Sequence, residues 1–327
     1  MAITYNFTAR ATDGLGAFAD RVFSITVNNS VIQRVVAVGQ GGAARALAGG
    51  NPWTNIPGVK GDSVAWGDRW LIWDQVAGVM WRSLDAINWA SLTPTLPGGY
   101  TTLSHMRWRA GAWWALGGTG SVIGVLTSTN GGATWTLAGG AQAGTFAASF
   151  ERTEAGASII ASDTNWYYRA TDGAAWAAVR TTAQPFKFQI AYLNGVWFGP
   201  SSNASSPGFA RSTDGSTWFD QSNASVLTAG YYRGFAYVNG SVVGHSYFDA
   251  LSGYTIDAGI TVSATAALPA ASDAFNTDAP IVAQAGRVVM IGDAGRTFSS
   301  FGAAASWSTR TIPGGWTPTS IAARNSA

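Results

Sequence analysis

The sequence predicts an all-β chain folded as a β-propeller. Three observations carry that prediction: a composition rich in glycine and aromatic residues, a short turn ending in tryptophan that recurs along the chain, and a second repeated motif that fixes its register. Of 327 residues, 47% are hydrophobic, 13% aromatic and only 11% charged, and 41 are glycine. Such a chain fills a large core and reads as many short strands joined by tight turns. Its length suits one large all-β domain as well as two ordinary ones.

The recurrent turn reads RSTDGSTW at Arg211–Trp218, RATDGAAW at Arg169–Trp176, RSLDAINW at Arg82–Trp89 and TSTNGGATW at Thr127–Trp135. Its tryptophans, Trp89, Trp135, Trp176 and Trp218, stand 41 to 46 residues apart. Weaker relatives end at Trp53 and Trp307, and a copy that has lost its tryptophan falls near residue 261, in GYTIDAGIT. This spacing predicts seven units, with six as the alternative if residues 229–270 form an irregular excursion.

The second motif is a hairpin. IAYLNGVWFGPS at Ile190–Ser201 aligns with FAYVNGSVVGHS at Phe235–Ser246, and MRWRAGAWW from Met106 and IVAQAGRVV from Ile281 occupy the same slot. Two alternating runs around Asn-Gly or Ala-Gly are a strong hairpin signal. Each unit therefore runs hairpin, third strand, recurrent turn, fourth strand, which is the pattern of a propeller blade. The first unit lacks an opening strand, and the end of the chain supplies one: IAARN at Ile321–Asn325 matches IAYLN at Ile190–Asn194. The C-terminal strand is thus expected to pair with the strand near Val35–Gly39, closing the ring and covering two exposed edges.

Ser/Thr-x-Asp-x-Gly-x-Thr-Trp, carried here by Asp85, Asn130, Asp172 and Asp214 with their tryptophans, resembles the Asp-box of the sialidase-type propellers, the bacterial neuraminidase repeat. The resemblance spans roughly residues 32 to 327. It implies that the boxes lie between third and fourth strands, away from any catalytic centre. The physical reading agrees: Asp or Asn accepts N–H groups of its own turn, glycine supplies positive φ, and the tryptophan wedges between neighbouring blades. Ala86 stands where glycine is usual, which weakens the prediction for that copy.

The first thirty residues differ. Ile3, Tyr5 and Phe7 alternate with polar residues, as do Phe23, Ile25 and Val27, around an Asp-Gly turn, so residues 1–30 read as a hairpin arm and residues 31–327 as the propeller. The arm resembles the last two strands of an immunoglobulin-like domain of phage tail and bacterial surface proteins. Two strands alone are marginal in water, so the arm is expected to pack on the propeller or to dock on another chain.

Several function classes lose support. Net charge is +2 with no basic block, so no nucleic acid partner is expected. Cysteine is absent, and His105 and His245 have no ligand-spaced partner, so neither a metal nor a cofactor is expected. No signal peptide or membrane-length apolar run is read. The only glutamates, Glu151 and Glu154, share the stretch ERTEAG, read as a polar turn, and no carboxyl pair of glycosidase spacing stands out among the aspartates. No catalytic residue is assigned. Of 16 tryptophans, Trp73, Trp81, Trp166 and Trp316 lie outside the repeated slots and are the candidate ligand-binding rings.

The sequence therefore predicts a non-enzymatic structural protein of a phage virion, a tail-fibre or tail-tip propeller that attaches to a host-surface glycan or protein. It is expected to dock on other virion proteins through residues 1–30 and to be oligomeric. The alternatives are a sialidase-like glycoside hydrolase on the same scaffold and a protein-assembly scaffold.

Overall fold

In a computed structural model, residues 2–12, 18–28, 34–47, 52–139, 142–143, 147–162, 166–171, 175–181, 189–200, 208–222, 232–246, 252–257, 261–267, 281–284, 286–292, 295–301 and 306–324 are described. The chain divides into two compact units, Met1–Ile32 and Gln33–Asn325. The first contains one two-stranded antiparallel ribbon, Ala2–Thr12 with Phe18–Asn28. Its register sets Ile3 opposite Val27, Tyr5 opposite Ile25 and Phe7 opposite Phe23, so the apolar positions of the two strands coincide.

The second unit is a β-propeller of antiparallel sheets. Among the described residues these sheets, with strands in spatial order, are sheet A (Ser320–Arg324, Arg34–Gly39, Gly42–Leu47, Trp53–Asn55), sheet B (Ser63–Trp66, Trp70–Asp74, Val79–Ser83, Ala90–Leu92) and sheet C (Thr102–Arg109, Ala112–Gly118, Val122–Ser128, Thr136–Leu137), whose third strand also pairs with the short strand Gln142–Ala143. Sheet D holds Ala147–Arg152, Ala157–Ser162, Trp166–Thr171 and Ala177–Thr181; sheet E holds Ala191–Leu193, Val196–Pro200, Gly208–Ser212 and Phe219–Ser222. Sheet F holds Tyr232–Val238, Ser241–Ser246, Ser252–Asp257 and Thr261–Ala267, and sheet G holds Ile281–Gln284, Arg287–Ile291, Arg296–Phe301 and Ser308–Thr311. Residues 229–270, the region of the six-unit alternative, thus contribute a four-stranded sheet of the same pattern.

The first strand of each sheet touches the first strand of the next from A through G, and that of G touches that of A. The Asn-Gly hairpins take the turn that the sequence predicts: Asn194 and Asn239 have φ of 49° and 47°, each followed by a glycine with φ above 80°. Asparagine is one of the few non-glycine residues that tolerate this conformation.

The core is a series of clusters between consecutive sheets. Trp89 packs on the cluster of A and B, Trp135 on that of B and C, Trp176 on that of C and D, and Trp218 on that of D and E. Trp307 does the same between F and G, and Trp53 between G and A. Each tryptophan seals its own sheet against a neighbour. The E–F cluster, where no tryptophan is available, uses Phe198, Phe209 and Phe235 instead, with ring centroids 5.6 to 6.1 Å apart.

The turn that carries these tryptophans is held from within. Asp214 Oδ1 accepts the Ser212 hydroxyl at 2.9 Å and the N–H groups of Ser216 and Thr217 at 2.7 Å. Ser212 Oγ accepts the Gly215 N–H, and the Trp218 indole N–H returns to the Gly215 carbonyl at 3.2 Å. Asn130 repeats this without a charge, accepting Ser128 Oγ and Thr134 N–H, and Trp135 donates to the Gly132 carbonyl. Asp85 accepts Ser83 Oγ and the N–H groups of Ile87 and Asn88. Ala86 adopts the left-handed conformation its copy requires, φ 58°, while fully buried. Asp172 lies outside the described residues.

Candidate functional site

The first strands of the sheets line a central cavity of about 430 Å3. In sheets C and D the lining residues Met106, Arg107, Trp108, Arg109 and Glu151 come from the C-terminal half of the first strand, so this part of the wall lies toward one end of those sheets. Third strands run parallel to first strands, so the recurrent turns lie at that same end. We call it the box end.

At most equivalent positions the wall is small and apolar: Ala191, Ala236, Val282 and Ala322. Sheets C and D break the pattern with Arg107 and Glu151. In sheet C the strand bulges between Ser104 and Arg107, with His105 buried at φ 51°. A bulge re-aims the side chains that follow it, and here Arg107, Trp108 and Arg109 all line the cavity.

Arg107 Nε donates to Glu151 Oε2 at 2.9 Å, and Arg109 Nη2 donates to Glu151 Oε1 at 3.1 Å. The Glu151 side chain is 6% exposed, those of Arg107 and Arg109 14% and 32%. Both guanidinium groups are further fixed by carbonyls: Arg107 Nη1 on Met106, Arg109 Nη1 on Trp108 and Arg109 Nε on Arg152. Arg152 stacks on Trp114, 3.9 Å from the ring centroid, and its own N–H donates to Glu151 Oε1. One carboxylate between two guanidinium groups leaves an excess positive charge at the cavity wall. Trp66, Trp108, Tyr192 and Tyr237 supply rings around it. The chemistry on offer is recognition of an anionic group beside an apolar body.

The sequence reading misplaced Glu151. It is a buried residue of the first strand of sheet D, and Glu154 alone sits in the turn, where it accepts the Ala110 N–H. Three aspartates outside the repeated turns also have local tasks. Asp62 accepts Gln40 Nε2 and the Gln75 N–H, Asp68 pairs with Arg69 and accepts the Trp113 indole, and Asp74 accepts the Ala77 N–H.

The four candidate ligand-binding tryptophans are not brought together. Trp73 is 2% exposed in the B–C core, which corrects its reading as a displayed ring: it alternates inward on the second strand of sheet B. Trp81 is half-buried against the A–B core. Trp316 packs on the G–A core, and any side chain at Gly41 would collide with it, so it too serves packing. Trp166 begins the third strand of sheet D, and its side chain lies outside the described residues. The rings at the cavity, Trp66 and Trp108, were absent from the sequence prediction. Aligning the hairpins would have flagged their neighbours, because Arg107 and Glu151 fall in a column held by alanine or valine at Ala191, Ala236, Val282 and Ala322.

No known sequence family and no curated relative matches the chain. Solved structures match its fold. YCF48 bound to D1 peptide is 15% identical, with a TM-score of 0.55 over 84% of this chain and 87% of that one. YCF48 from Cyanidioschyzon merolae is 16% identical, with a TM-score of 0.53 over 82% and 94%. Virginiamycin B lyase from Staphylococcus aureus is 12% identical, with a TM-score of 0.56 over 77% and 84%. At these identities the likeness is one of fold, a β-propeller.

Proposed function

We propose that the chain is a non-enzymatic binding protein: a seven-bladed propeller of the Asp-box kind, closed by its C-terminal strand, that serves as a tail-fibre or tail-tip attachment protein of a phage virion. The observation that carries the binding reading is the state of Glu151. Both its oxygens are engaged by arginine, an arrangement that suits a fixed recognition surface better than proton transfer. Arg107, Arg109 and Glu151 also lie toward the box end of their sheets, away from where the sialidase resemblance puts a catalytic centre. That a structure of this fold holds a D1 peptide is consistent with propellers of this shape engaging protein.

The attachment reading rests on the first unit. A ribbon of two paired strands of 11 residues each is a poor structure by itself in water, and its coincident apolar register suits completion by a partner sheet. The experiment is proteomic: particles are purified by density gradient from lysates of the cells that express the chain. The reading predicts that the chain sediments with capsid proteins, and that removing residues 1–30 releases a folded propeller from the particles. A chain found only in the host's soluble fraction contradicts it.

A further inference from the structure

The two ends of the propeller differ. Among the described residues, Leu47, Leu84, Ile87, Leu137, Phe219 and Phe301 are the exposed large apolar side chains that flank the recurrent turns or end a third strand, and all therefore lie at the box end. Val76, between second and third strands, is the one such residue at the other end. They come from sheets A, B, C, E and G, so they are distributed around the cavity rather than along one edge. Scattered apolar residues are ordinary on any surface, but a bias of this kind toward one end is not. A polar sugar gains little from leucine, isoleucine and phenylalanine spread this widely, whereas protein interfaces are built from such residues around an arginine- and aromatic-rich centre.

From this we propose that the box end is a protein-docking face, and that its partner is a folded protein which places an aspartate or glutamate side chain against Arg107 Nη2, beside Arg109 and Glu151. Charge complementarity selects the acid. Glu151 neutralises one guanidinium and leaves the excess of the other, and the bonds of Arg107 use Nε and Nη1, so Nη2 keeps its hydrogens for a ligand. The breadth of the apolar ring selects a side chain rather than a chain terminus, since only a folded surface covers the whole end. The inference rests on the reading of the chain as a binding protein and is independent of the virion assignment.

The test is a selection from a random linear peptide library against the purified full-length chain. Recovered peptides are expected to carry an acid flanked by aliphatic or aromatic residues. Binding of one such peptide, followed by fluorescence anisotropy, is expected to weaken about tenfold or more in Arg109→Gln. It is also expected to weaken in the combined variant Leu84→Ser, Phe219→Ser, Phe301→Ser, whose sites are exposed and whose fold is checked by circular dichroism, and to be unchanged in Val76→Ser. Peptides without acids, unchanged binding to Arg109→Gln, no recovered binder, or a glucuronate-bearing oligosaccharide that binds at the arginines in preference to any peptide each overturns the proposal. Peptide binding that persists while the chain is absent from purified virions overturns the virion assignment alone.

Discussion

Val36 and Ala322 are direct partners across an antiparallel strand pair, although they belong to opposite ends of the propeller's sequence. Both are buried in the core between sheets A and B, and Gln284 of sheet G reaches across the same seam. Its side-chain amide donates to the carbonyl of Arg34 at 2.7 Å and to that of Arg324 at 2.8 Å, so one residue ties both strands of the junction to the neighbouring sheet.

Gln284→Ala removes both bonds and leaves two carbonyls at a buried seam without their donor. The expected cost is about 1–3 kcal/mol in urea unfolding. A change below a few tenths of a kcal/mol would mean that the seam does not bear on stability.

The recurrent turns predict a pH dependence. Burial alone would raise the Asp85 carboxyl, but the N–H groups of Asn88 and Ile87, with the side chains of Asn88 and Ser83, outweigh it and hold the carboxyl well below its ordinary value. For Asp214 the N–H groups of Thr217 and Ser216 and the Ser212 hydroxyl do the same. A carboxyl depressed in the folded state contributes stability in full above its unfolded value, near pH ~4, and loses it as pH falls through the folded value. Because these turns are partly or largely exposed, solvent screening keeps the effect modest. Unfolding midpoints of the unmodified chain should therefore fall more steeply below about pH 4 than those of the double variant Asp85→Asn, Asp214→Asn. Asn130 already performs the same role in the native chain without a charge, so the variant should fold.

Trp135 is 1% exposed between sheets B and C, whereas Leu137, two residues on, is 42% exposed. Trp135→Ala should cost about 3–5 kcal/mol, and Leu137→Ala less than about 0.5 kcal/mol. Equal costs from chemical denaturation would deny the tryptophan its role between sheets.

Ala110 has φ 49° in the hairpin of sheet C, where sheets E and F place asparagine. Left-handed backbone costs alanine about 1 kcal/mol more than it costs asparagine, so Ala110→Asn should raise the thermal midpoint by about 2–4 °C. A lowered midpoint would show that the contact between the Ala110 N–H and Glu154 depends on the alanine.

Much of the fold is legible because the repeat is written twice, once in the tryptophan turn and once in the hairpin, and both periods must agree with four strands per unit. The task of the turn tryptophans follows from their size and spacing alone. The cavity is less legible. Trp66 and Trp73 are chemically alike and lie seven residues apart, yet one reaches the cavity wall and the other the core, a difference set by which strand of the sheet each occupies. Glu151 looks like part of a polar turn because its neighbours Thr153 and Glu154 are, and only the pairing of the first strand of sheet D shows that its partner charges come from another sheet.

The ring account is tested most directly by a disulfide across its seam. The chain contains no cysteine, so Val36→Cys combined with Ala322→Cys introduces one possible bridge, and direct antiparallel partners stand about 4.5–5.5 Å apart at Cα, within disulfide range. Mild oxidation should give a monomeric intramolecular bridge in nearly all molecules, seen as free-thiol loss and as a peptide joining the two ends in mass spectrometry, with a higher unfolding midpoint. Thiols that stay free in the folded protein, or that bridge only between molecules, would contradict a propeller closed by its C-terminal strand.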